Sequence, residues 1–200
     1  MSAPVAASWD RIEKWLGSNA SDIPLPAPAA VPALAAAEVA VGYAFPRDLV
    51  ESLLRHDGAP RSLVPSRWTL LPLDTAVDTW RRNTEELAAR QAAEVDDMSD
   101  EDDEDWSEVE EGEEDAFWGW SPAWLPIAVD GSGCHLVVEL REGSRHGAVG
   151  VLDPESNPRF EGSGTWPSTA ALLEGTANAL HGDAPVWKPT IESWGIDWTR

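Results

Sequence analysis

Hydrophobic positions along the chain first recur at helical spacing. Trp9, Ile12, Trp15 and Leu16 share one side of a helix that Ser8 can N-cap. IPLPAPAAVP, residues 23–32, is a connector, because each proline disfavours helix at the residue before it. An Ala-rich helix follows over residues 33–41, with Gly42 in the place of a C-terminal glycine. Pro46 opens FPRDLVESLLRHDG, where Leu49, Val50, Leu53 and Leu54 share a face and Gly58 ends the segment. RWTLLPL, residues 67–73, predicts a strand. Asp74 then caps a helix that sets Val77, Trp80, Thr84 and Leu87 on one side.

The period then changes from helix to strand. WLPIAV, HLVVEL and GAVGVLD predict three strands joined by hairpin-sized turns. In HLVVEL, Leu136, Val138 and Leu140 face one way and His135, Val137 and Glu139 the other, the alternation of a half-buried antiparallel strand. Ser168 caps a last helix carrying Leu172, Leu173, Thr176 and Leu180, which ends near Gly182. Residues 183–200 form a Trp-rich tail expected to pack on a domain of residues 1–182. Helices, an antiparallel meander and a final helix make an α+β single domain.

Composition adds two facts. Twelve tryptophans supply ample apolar area for a core, and one cysteine excludes an internal disulfide or a multi-cysteine zinc site. Fifteen of the 36 acidic residues lie between Glu94 and Asp115, and without them the net charge of −22 falls to −7. The acidity therefore belongs mainly to one segment, read as a flexible insertion at about 94–115. It argues against direct binding of nucleic acid, whose phosphates it would repel. The chain shows no signal peptide and no membrane-length apolar run, so the expected location is cytoplasmic.

Candidate chemistry centres on DGSGCHLVVEL, residues 130–140. It holds Cys134 beside His135, with Asp130 and Ser132 close by. A nucleophilic thiol needs a base in reach, but successive strand side chains diverge. A calcium loop needs more oxygen ligands than Asp130 and Ser132 supply. No HExxH, GxSxG or phosphate-loop motif occurs. The stretch reads as a tight reversal built by Asp130, Gly131 and Gly133. Neither a metal nor a cofactor is expected, and no catalytic residue is assigned.

The order WLPIAVDGSGCHLVVEL, then GAVGVLD, resembles the central signature of the SUKH superfamily, which includes the fungal Smi–Knr cell-wall regulators and many bacterial relatives. Upstream, AEVAVGYAFPRDLVESLLRHDGA sets Glu38, Gly42, Pro46, Asp48, Leu49 and Gly58 in family positions. Pro126, Asp130, Gly131 and Gly133 belong to the central signature, and Trp166 to Leu180 is similar to the family's closing helix. Relatives often carry Asn or Asp where this chain has Cys134.

The resemblance implies a mixed, mostly antiparallel sheet flanked by helices, and a binding module that is not an enzyme. Bacterial members resemble immunity proteins that neutralise cognate polymorphic toxins. An acidic surface steers basic partners, such as a nuclease toxin domain. The candidate partner-binding set is Asp102, Asp103, Glu104, Asp105, Trp106, Glu110, Glu111, Phe117, Trp118 and Trp120. The competing reading is an intracellular regulatory scaffold that binds protein partners through the acidic arm.

Overall fold

A computed structural model describes residues 3–98, 119–153, 156, 158–184 and 186–200. Helix α1 (Val5–Asn19) starts one turn before the expected cap. Pro4 takes the cap position, and Val5 is drawn onto the core at 2% exposure. Ser8 therefore lies inside the helix. Its N–H donates to the Pro4 carbonyl, and its buried hydroxyl has no partner among the described residues. The buried stripe is Trp9, Ile12 and Leu16, as the spacing predicts, with Trp15 packed at its edge.

Helix α2 (Val31–Val41) ends at Gly42 in the left-handed region (φ 80°). It begins two residues early because Pro32 sits in the first turn, where its missing N–H costs nothing. Helix α3 (Arg47–Leu53) begins after Pro46. Strand β1 (Ala59–Val64), which the pattern did not announce, pairs antiparallel with β2 (Trp68–Leu70). Positive φ at Ser62, Ser66 and Arg67 and an irregular register hide this hairpin from any period-2 reading. The expected strand over 67–73 shortens to three residues, because Leu73 already opens helix α4 (Leu73–Met98). Asp57, not Asp74, caps α4: its Oδ1 accepts the Leu73 N–H at 2.7 Å.

Strands β3 (Trp124–Val129), β4 (His135–Glu139) and β5 (Val149–Leu152) complete a sheet of order β1-β2-β3-β4-β5. Every pair among the described strands is antiparallel, so the mostly antiparallel expectation holds and its mixed part finds no parallel pair. Helix α5 (Thr169–Leu180) is capped by Ser168, whose hydroxyl accepts the Ala171 N–H. The tail forms a separate hairpin of β6 (Lys188–Glu192) and β7 (Gly195–Thr199). Its Ile196 is fully buried, and the Trp198 indole donates to the Ser62 carbonyl at 2.8 Å.

The fold is thus α+β, and its sheet is covered on both faces. Leu136 and Val138 enter the main core beside Leu172 and Leu173 of α5. Val137, on the opposite face, joins Trp120, Trp124 and Leu152 in a second cluster edged by Trp80, Leu87 and Phe160. The half-buried expectation for β4 is therefore corrected: even Glu139 is only 3% exposed. The tryptophans on this face come from α4 (Trp80), from the segment before β3 (Trp120) and from the start of β3 (Trp124).

Candidate protein-binding surface

The reversal before β4 is built around Asp130. Its Oδ1 accepts the Ser132 N–H at 2.9 Å and the Cys134 N–H at 3.0 Å, and the Ser132 hydroxyl donates to both carboxylate oxygens. Gly133 takes φ 91°, a conformation that favours glycine. The Cys134 side chain packs against the main core and lies 3.3 Å from the Ser132 hydroxyl. His135 faces α4. Burial, and then the Arg82 charge, push its pKa down, against the opposing pull of Asp130 and the Gly133 backbone. Cys134 and His135 thus sit in separate environments and form no nucleophile–base pair. No group of three His, Cys, Asp or Glu side chains that could hold a metal occurs among the described residues.

The signature residues upstream tie elements together. Glu38 accepts the Phe45 N–H at 2.8 Å, which fixes the turn from Gly42 to Pro46. Asp48 accepts the Leu49 N–H through Oδ1 and the Ala170 N–H through Oδ2 (2.8 Å), so one carboxylate serves the starts of both α3 and α5. Gly58 has φ +82°, and a Cβ there would lie 2.8 Å from Pro72 N. Pro126 lies in β3, where the pairing with β4 shifts register.

An open groove brings Asp48, His146 and Ser168 into one lining, a juxtaposition the sequence did not suggest. It is not a catalytic triad in this arrangement. Both Asp48 oxygens are taken by backbone N–H groups, Ser168 caps α5, and His146 Nδ1 faces the Leu140 carbonyl. Arg47 and Glu51 at its rim pair with each other at 2.8 Å. A small void of about 30 Å³ between α3, α4, α5 and the sheet has room for only a water or two.

These observations agree with one further finding. Residues 28–175 match the model of the SMI1 / KNR4 family (SUKH-1). The chain belongs to this SUKH-1 family. The match leaves out α1 and the β6–β7 hairpin, although both place side chains in the shared core. A comparison with curated proteins finds no match.

The acidic run begins on α4 of this SUKH domain. Leu87 is the last α4 side chain that packs on the second cluster, and every residue from Ala88 to Ala93 is exposed. The helical backbone continues through Glu94 to Met98, the first residues of the acidic run. Asp102, Asp103, Glu104, Asp105, Trp106, Glu110, Glu111, Phe117 and Trp118 lie outside the described residues.

Trp120 is described, and it corrects one expectation. At 8% exposure it is not presented to a partner. Its indole donates to the Thr84 hydroxyl at 3.1 Å, and its ring meets Trp124 edge-on at 6.4 Å. Trp80 donates to the Pro122 carbonyl at 2.8 Å, and Trp124 to Glu139 at 3.0 Å. Burial alone would raise the Glu139 pKa. The Arg141 guanidinium and N–H, with the Trp124 indole, outweigh it and hold the carboxyl below its ordinary range. Leu87 before the acidic run and Trp120 after it thereby pack on one aromatic cluster. No helix among the described residues is long and apolar enough to cross a membrane.

Proposed function

We propose that this chain is a non-enzymatic, immunity-type protein that binds and neutralises a cognate toxin domain. The observation that carries the reading is the placement of charge. Fifteen of the 22 residues from Glu94 to Asp115 are acidic, and the run begins on α4 beyond its exposed stretch and precedes the buried Trp120. Such a segment raises the encounter rate with a basic protein at low ionic strength. A nuclease domain is one such partner, because it must itself hold phosphates. Membership of SUKH-1 supports a binding role, and the side chains around Cys134 and in the Asp48 groove are engaged in holding the fold.

The test is co-expression with the toxin domains encoded beside this gene. The expected outcome is restored growth with one of them, and a purified pair whose affinity falls as salt rises. Failure to bind or neutralise any of them counts against the reading. A salt-independent complex counts against the role given to the acidic segment.

A further inference from the structure

From Pro24 to Ala44 the chain exposes no polar side chain. Every exposed position in this run is proline, alanine, valine or glycine. Its only ionisable side chains, Glu38 and Tyr43, are half-buried, and Glu38 is turned onto the Phe45 N–H. Within this run, Val31 is 66% exposed and Val39 is 83% exposed, the highest values among the large exposed hydrophobics of the described residues. Leu34, Ala37 and Val41 attach α2 to the core, so the outer face of the helix has no role in holding the fold. In a chain of net charge −22, a neutral apolar face left in water invites cover.

We infer that a second copy of this chain covers it, α2 lying antiparallel to α2 across a two-fold axis near Ala35. Charge is the first argument. The face offers nothing for a charged partner to read, whereas two copies meet here without apposing like charges. Pattern is the second. Val31, Ala35 and Val39 form one i, i+4, i+8 ridge that is symmetric about Ala35, and the neighbouring row Pro32, Ala36 and Ala40 is low. An isologous contact uses the same patch twice, so each Val31 meets the second copy's Val39. The valine ridge of one helix then has the low row of the other as its groove.

Area sets the expected strength. Helix α2 has 11 residues. At its usual rise that is about 16 Å of helix, with the proline strap leading into it. Such a face covers a few hundred Å², below the roughly 800 Å² per partner of a standard stable interface. The pair is therefore weak and concentration-dependent. Added salt strengthens it, because it screens two strongly negative bodies. This is the opposite of the salt response expected for a basic toxin.

Sedimentation velocity of the full chain, from about 1 to 500 μM at low and high salt, tests the inference. The wild type shifts from monomer to dimer with concentration, more so at high salt. V39E stays monomeric by at least a tenfold weakening, with an unchanged melting temperature because the site is exposed. V31K/V39E regains the dimer, because lysine then faces glutamate across the axis, and its salt response reverses. V186E, a substitution at an exposed valine outside this face, leaves association unchanged. A wild type that is monomeric throughout, or V39E associating like the wild type, overturns the inference. Loss in V39E without recovery in V31K/V39E overturns the antiparallel pairing.

Discussion

Removing the buried carboxylate of Glu139 tests the aromatic cluster that roots the acidic segment. The carboxylate accepts the Trp124 indole N–H at 3.0 Å, the Arg141 N–H at 3.0 Å, and the Arg141 guanidinium at 3.0 and 2.9 Å. In Glu139→Ala the Trp124 donor is left buried without an acceptor, at a cost of about 1–3 kcal/mol. The one lost methylene adds roughly 0.8 kcal/mol. Arg141 is 49% exposed, so its ion pair with Glu139 is screened by solvent and adds little. The expected loss is about 3 kcal/mol, read as a shift in the urea midpoint at unchanged slope. Glu139→Gln keeps an acceptor for Trp124 but loses the charge and the second acceptor oxygen that serves the Arg141 N–H, about 1–2 kcal/mol.

Acidity separates the two effects. The folded-state pKa of Glu139 lies below its ordinary value of 4.5. The contribution of its ionised form is therefore fully present above about pH 4.5 and is lost as the pH falls through the lower folded value. The gap between wild type and Glu139→Gln should narrow on acidification from about pH 7 to pH 3, whereas the Trp124 part of the Glu139→Ala loss persists. A Glu139→Ala loss under about 0.5 kcal/mol, or a Gln gap that ignores pH, would refute the reasoning.

Four other substitutions give sharp outcomes. Gly58→Ala meets both a positive φ and backbone 2.8 Å away, so it should cost at least about 2 kcal/mol, whereas Gly42→Ala (φ +80°, open space) should cost about 1 kcal/mol; equal urea midpoints would contradict the steric part. Asp48→Ala frees the Ala170 N–H at the start of α5 and should cost about 1–2 kcal/mol by the same assay, with an unchanged midpoint as the adverse result. Cys134→Ala should neutralise as the wild type does in the co-expression test; loss of activity in a folded variant would revive a catalytic role for the thiol.

Local chemistry explains which elements were legible. Gly42, Pro46 and Ser168 mark their helix ends by conformational or capping preferences that act within a few residues, and the structure has all three in those places. The Asp130 turn was legible for the same reason, since its donors lie two and four residues away. The start of α4 was not, because its cap, Asp57, comes from 16 residues upstream. Strand β1 was hidden by its positive-φ serine and irregular register, and pairing with β2 and packing under Trp198 hold it in place.

The candidate site divides in the same way. Sequence alone determined the charge: a segment dense in carboxylates stays acidic whatever the fold around it. It also determined the family signature and the separation of Cys134 from His135, because strand alternation is a property of the backbone. Only the tertiary structure decided what the tryptophans do. Trp80, Trp120 and Trp124 are far apart or differently placed in the chain, yet they meet over the second face of β4, where Val137 and Glu139 needed cover. That contact turned Trp120 from an expected partner anchor into the root of the acidic segment. Side-chain period can say which residues share a face, but burial of a face depends on what the rest of the chain lays across it.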